Sequence, residues 1–325
     1  MKERERERER ESKKRTILIT AIFLALTFVL LGGLYIRAKL NSSKMRLYVN
    51  NVLVKNSLYI YLKKNEITKS VITKTNALPI SCPTEYKSIA IFGQSNSANR
   101  IPRKNGLRTI ADGKTYMYDW VNGICYNYAE PLVGTDGEGR GNILTSAIEN
   151  YRKSQPNGNI LVIAFGKGGS SVFSWSHGIE SIRYKAVLDS VRSKNIRIDT
   201  AFWHQGESDA ILEIYFPEKL KAYGTEIGTR QDFYNKSLNA ILDKLTDFNP
   251  NVKIGVAIAS ICKNNGSDEV REAQRMVISS RPNIYKSTDS DKLGANMRYD
   301  DCHFNELGEK YIAEDYYQFL TLTLN

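Results

Sequence analysis

From Ser88 onward the chain alternates short apolar runs with longer amphipathic stretches, and this rhythm constrains the fold more than any other feature. The runs are SIAIF (88–92), NILVIAF (159–165), IDTAFW (198–203) and VKIGVAIA (252–259). Between and after them lie stretches with helical periodicity near 141–154, 178–194, 230–247, 268–280 and 306–322. Strands that are apolar on both faces need cover on both, and helical crossovers supply it, so the pattern predicts a parallel sheet sandwiched between helices. Ligands of such sheets bind outside the carboxyl ends of the strands, which directs attention to the residues that follow each run.

Those residues are polar and glycine-rich. Gly93-Gln94-Ser95-Asn96 follows the first run, Gly166-Lys167-Gly168-Gly169-Ser170-Ser171 the second, and His204-Gln205-Gly206-Glu207-Ser208-Asp209 the third. Asp300-Asp301-Cys302-His303 stands ahead of the last helix. A serine hydroxyl becomes a useful nucleophile only when a base takes its proton and a third group orients the base. The chain has three histidines, His177, His204 and His303. The Asp-x-x-His spacing in a turn lets the Asp300 carboxylate reach Nδ1 of His303 while Nε2 faces outward, so this pair is the better base. His204, at a strand end, is expected to pack in the interior, and His177 to meet substrate or water. Taken alone, Ser95 would equally read as a helix cap, Glu207 as an orienting or a structural acid, and Trp120 and Trp175 as sugar platforms or core.

The four segments together resemble the ordered blocks of SGNH-type hydrolases. GQSN with HQGESD looks like the branch of sialic-acid O-acetylesterases and carbohydrate esterase family six acetylxylan esterases, over roughly residues 86–322. The resemblance implies a three-layer α/β/α, flavodoxin-like domain, with Ser95 as nucleophile, His303 as general base and Asp300, rather than the adjacent Asp301, as its orienter. It implies an oxyanion hole from the Ser95 N–H, the Gly169 N–H (or Gly168 if the register slips) and the Gln205 side chain; Gly168, Asn96 and Glu207 are candidate supporting residues, with a structural role favoured for Glu207. The wider superfamily has Asn where Gln205 stands, and Gln matches the acetylesterase branch. The expected reaction is cofactor-free removal of O-acetyl groups from carbohydrate through an acetyl-serine. A lipase- or thioesterase-like hydrolase and a non-catalytic binder of acetylated glycan are the alternatives. The GQSN wording speaks against the first, and the intact Ser95, Asp300 and His303 speak against the second.

The segment ahead of this domain sets topology. Residues 16–36 are 21 residues without a charge, and at about 1.5 Å rise each they match the roughly 30 Å hydrocarbon core of a bilayer. They exceed a signal-peptide core, and RAKLNSS offers no convincing cleavage site, so an uncleaved signal-anchor helix is expected over a cleaved signal. Eight Lys and Arg precede the segment and four closely follow it. That bias places 1–15 in the cytoplasm as a charged tail and the body outside. Residues 37–87 read as a stalk with a small β element, and 88–325 as the domain.

Residues 1–46 carry 12 Lys and Arg against 5 Glu, which leaves 34 basic against 30 acidic residues in 47–325. The basic surplus therefore belongs mainly to the N-terminus, and no basic face for nucleic acid is expected. GKGGSS lacks the order of a phosphate loop, so no nucleotide is implied. Cysteines 82, 125, 262 and 302 show no C-x-x-C pair, and no metal site is expected. Outside the cell they are eligible for disulfides of undetermined pairing, or serve as small buried hydrophobes.

Overall fold

The computed structural model describes residues 77–137, 139–211 and 228–324. The charged tail expected at 1–15, the membrane segment at 16–36 and the stalk up to residue 76 lie outside the described residues. Among those described, no helix is long and apolar enough to cross a membrane.

Among the described residues ten strands form two sheets. The large one contains eight, in the order β1-β5-β4-β7-β2-β8-β9-β10: β1 (Pro79–Ile80), β2 (Lys87–Gly93), β4 (Thr115–Asp119), β5 (Ile124–Asn127), β7 (Ile160–Gly166), β8 (Thr200–His204), β9 (Lys253–Ile258) and β10 (Ile284–Asp289). The small one pairs β3 (Asn99–Ile101) with β6 (Gly141–Asn142). From β4 to β10 every neighbouring pair of the large sheet is parallel, whereas β4–β5 and β5–β1 are antiparallel. The parallel sheet expected from the sequence is therefore present inside a mixed one, with a hairpin and a short strand at one edge.

Alternation along the strands builds two cores. Ala90 and Phe92 of β2, with Leu161, Ile163 and Phe165 of β7, face one layer, while Ile89, Ile91, Ile160, Val162 and Ala164 face the other. The first layer is closed by α3 (Ile179–Ser193), α5 (Arg230–Phe248) and α6 (Asp268–Ser280), which follow the short α1 (Leu144–Ser154), α2 (Val172–Ser176) and α4 (Glu207–Ile211) in the labels used here. The second is closed by α1 and α7 (Glu306–Leu324). A strand with period-two alternation presents one apolar row to each helical layer, which is why β2 and β7 read as unbroken apolar runs.

The structure pairs all four cysteines, Cys82 with Cys125 and Cys262 with Cys302. The first pair ties the segment between β1 and β2 to β5. The sheet thus takes in Pro79 and Ile80, ahead of the domain start expected at residue 88.

Candidate active site

Strand β2 sits between β7 and β8, and its last residue, Gly93, pairs with Gly166 on one side and His204 on the other. The three strands therefore end level, and the segments that follow them meet at one rim, at the point where successive crossovers leave β2 in opposite directions. Only glycine serves at position 93: its φ is +140°, and a Cβ would lie 2.0 Å from the His204 carbonyl oxygen. Ser95 opens a 3₁₀ turn, Ser95–Ser97, whose N-cap is Gln94, so Ser95 lies within the turn and does not cap it. The Ser97 hydroxyl donates to the Gln94 carbonyl at 2.7 Å and the Ala98 N–H donates to the Ser95 carbonyl, fixing the turn without the Ser95 hydroxyl.

His303 Nδ1 lies 2.7 Å from Asp300 Oδ2, while Asp300 Oδ1 accepts from the N–H groups of His303 (2.7 Å) and Cys302 (3.2 Å). The spacing of three residues works because Asp301 adopts φ +60°, which curls the turn back on itself. Burial opposes ionisation of Asp300, yet the hydrogen bonds from the His303 side chain and backbone prevail and hold its carboxyl below the ordinary range. The imidazole stays partly open to solvent and stacks on Tyr299, 5.8 Å between centroids.

The two glycines of the loop differ in what their N–H groups meet. The Gly168 N–H donates to Asp136 Oδ2 at 3.0 Å, and Lys167 Nζ to the same oxygen at 2.8 Å. Gly169 lies in the left-handed region, φ +68°, with open space where a Cβ would project. Of the two glycines, then, Gly168 has its N–H committed to the protein.

Gln205 is placed otherwise than the sequence suggests. It is wholly buried, and its Nε2 donates to Asp209 Oδ2, to the Ser170 carbonyl (3.1 Å) and to Gln94 Oε1 (3.2 Å), while its Oε1 accepts from the Tyr234 hydroxyl at 2.9 Å. The amide braces the glycine loop through the Ser170 carbonyl and is committed to partners within the protein. His204 is buried, with Nδ1 3.0 Å from the Tyr316 hydroxyl, and burial pushes its pKa down. Glu207 accepts from Asn96 Nδ2 at 2.6 Å, and its Oε1 lies 3.7 Å from His204 Nε2, so its closest histidine is not His303. His177 is exposed beside Phe173. Trp120 and Trp175 are core residues whose indole N–H groups donate to the Gly134 carbonyl and to Ser170 Oγ.

A family model described as carbohydrate esterase, sialic acid-specific acetylesterase, matches residues 89–320. The chain belongs to this family. Among solved structures, a protein of Arabidopsis thaliana has the same fold, with a TM-score of 0.56 at 18% identity over 74% of this chain and 100% of that one. A carbohydrate esterase family 3 protein from Talaromyces cellulolyticus (TM-score 0.45, 11% identity, 73% of this chain and 97% of that one) and an acetyl xylan esterase (TM-score 0.43, 17% identity, 72% and 99%) are also similar. No curated protein matches the sequence.

Three features of this esterase-family domain escape sequence reasoning. Gln94 Oε1 accepts from the N–H groups of Ser208 (3.0 Å) and Gly206 (3.4 Å), tying the first block to the third. Arg298 donates to the carbonyls of Cys302 and Ser290 and lies 4.6 Å above the Phe304 ring. Tyr299 stacks on His303 and carries the Arg140 guanidinium 5.0 Å from its centroid. Only proximity to Asp300-x-x-His303 could have singled out the last two.

Asp209 gives a stability prediction. Burial pushes its carboxyl up to about 7, against hydrogen bonds from Gln205 and the Val172 N–H, and its Oδ1 has no partner among the described residues. An unfolded aspartate ionises near 3.9, so between that value and about 7 the native state binds more protons than the unfolded one. Stability therefore falls as pH rises through this window. Asp209→Asn removes the charge, and its melting temperature is expected to gain on the wild type between pH 5 and pH 8. A difference that is the same at both pH values would refute the assignment.

Proposed function

We propose that the protein is a serine esterase that removes O-acetyl groups from carbohydrate, with sialic acid as the first candidate substrate. The observation that carries this reading is the 2.7 Å contact of His303 Nδ1 with Asp300 Oδ2 on a turn joined through Asn96 to the turn bearing Ser95. Nδ1–H bound to a carboxylate leaves the Nε2 lone pair free to act as base. Ser95 Oγ attacks the acetyl carbonyl as His303 Nε2 takes its proton. The N–H groups of Ser95 and Gly169 receive the developing oxyanion, and Gln205 supports them through the Ser170 carbonyl. His303 then returns the proton to the departing sugar oxygen. Water, deprotonated by the same imidazole, attacks the acetyl-serine; the imidazolium gives that proton to the departing Ser95 Oγ, and acetate leaves.

The family description favours sialic acid over xylan. Residues 16–36 would anchor the protein, with 1–15 in the cytoplasm and the catalytic domain outside, and two disulfides in the domain suit an oxidising compartment.

The test is acetate release by the full-length protein in detergent micelles, from 4-nitrophenyl acetate, O-acetylated sialic acid and acetylated xylan. Release from acetylated sialic acid with the highest kcat/KM is expected. Preference for xylan would replace the substrate and keep the chemistry. Binding of acetylated glycan without release would turn the reading into that of a binding protein.

A further inference from the structure

Ser95 and His303 come from opposite ends of the domain sequence, and acyl transfer requires their side chains to hold a geometry fixed to about half an ångström. The residue between them is Asn96. It directly follows Ser95, is buried, and reaches across the rim: Nδ2 donates to the Cys302 carbonyl at 3.3 Å, and Oδ1 accepts from the Phe304 N–H at 3.4 Å. Cys302 and Phe304 flank His303, so one carboxamide grips the chain on both sides of the histidine.

The orientation of that carboxamide is itself determined. Nδ2 also donates to Glu207 Oε1 at 2.6 Å. A backbone N–H only donates and a backbone carbonyl only accepts, so the oxygen of Asn96 faces the Phe304 N–H and its nitrogen faces the Cys302 carbonyl and Glu207. The grip closes on a turn that is stiff on its far side. The Cys302 carbonyl takes a second donor from Arg298 Nη1, and its sulfur is bridged to Cys262 in the loop after β9. The His303 turn has little freedom except the freedom that Asn96 removes.

We infer that Asn96 is a positioning residue of the esterase reaction, setting the spacing between Ser95 and His303, and that Glu207 acts by orienting Asn96. The inference rests on the reading of Ser95 and His303 as nucleophile and base. Neither Asn96 nor Glu207 touches the reacting atoms in this scheme, so their effects belong in kcat.

Asn96→Ala is expected to lower kcat for 4-nitrophenyl acetate about 10- to 100-fold, the scale of an ångström's misplacement, with KM within about twofold. Inactivation by a fluorophosphonate, which reports Ser95 activated by its base, should slow by a similar factor. Glu207→Ala removes the oxygen that accepts from Asn96 Nδ2 and should lower kcat by about the same factor as Asn96→Ala, with Glu207→Gln, which keeps an oxygen there, restoring part of the loss. A Glu207→Gln loss as large as that of Asp300→Asn would mean that the charge of Glu207 acts on the histidine directly, and would overturn its assigned role. An Asn96→Ala protein with a lowered melting temperature but wild-type kcat per folded molecule would make Asn96 merely structural. If Asn96→Ala does not fold, Asn96→Ser keeps a donor for Glu207 but is too short to span Cys302 and Phe304, and the same kcat and inactivation readouts decide. Full activity in Ser95→Ala would instead remove the reading of the site itself, whatever Asn96 does.

Discussion

Ser95→Ala is expected to lower acetate release by about 10⁶-fold, the scale seen when the nucleophile of a serine triad is removed. In the proposed route the hydroxyl supplies the bond on which both steps depend, and neither Ser97 nor Ser170 is free to replace it: Ser97 Oγ is committed to the Gln94 carbonyl, and Ser170 Oγ to the Lys167 carbonyl and the Trp175 indole. The variant should fold as the wild type does, because the 3₁₀ turn is held by the Gln94 and Ser95 carbonyls and by Ser97. Its melting temperature is therefore expected to stay level, and its affinity for acetylated sialic acid to persist. Measuring both beside acetate release separates chemistry from folding and from binding. Residual turnover above about one part in 10³ would mean that another nucleophile, or activated water, does the work.

Asp300→Asn carries the second largest effect, a loss of about 10⁴-fold in kcat, as in the triad template. The direction follows from the hydrogen bonds. Asp300 Oδ1 accepts from two backbone N–H groups, those of Cys302 and His303, and Oδ2 from the imidazole. An asparagine here must keep its one oxygen toward the two N–H groups, which turns its amide toward Nδ1. The imidazole then accepts at Nδ1 and carries its proton on Nε2, so the base faces Ser95 without a lone pair. Retention of more than about a tenth of wild-type kcat would contradict this tautomer argument.

The depressed pKa of Asp300 adds a pH dependence. The carboxylate remains ionised throughout the range in which an imidazole takes up a proton. A decline of kcat/KM on acidification in that range therefore does not come from Asp300. The stabilisation that Asp300 draws from its hydrogen bonds is present above the unfolded-state pKa and is lost as pH falls through the lower, folded one. Activity should thus decline well before the fold does, and coincident loss of both would count against the assignment.

Much of this was legible from residue order. Apolar runs at 88–92, 159–165, 198–203 and 252–259 became β2, β7, β8 and β9, because a strand buried on both faces must be apolar at nearly every position. The five expected helices appear as α1, α3, α5, α6 and α7. Strands β4 (TYMYD) and β10 (IYKSTD) went unread, because the half-buried Tyr116 and Tyr285 and the exposed Lys286 interrupt the apolar run.

The proximity of Asp300 to His303 was local information, since three residues of a turn suffice to bring the two side chains together. The fates of Gln205, Asn96 and Glu207 were not. Gln205 turns inward because Asp209, Ser170, Gln94 and Tyr234 converge on its amide from four segments, and a buried amide goes where its donors and acceptors are satisfied. Asn96 meets Cys302 and Phe304 across more than 200 residues, and the cysteines pair as 82–125 and 262–302, one of three possible arrangements. By itself the sequence determined the strand rhythm, the rim and the chemical types gathered there. Which partners the buried amides take, and what joins the histidine turn to the serine turn, was decided by the tertiary structure, because those contacts join segments that only the assembled sheet brings together.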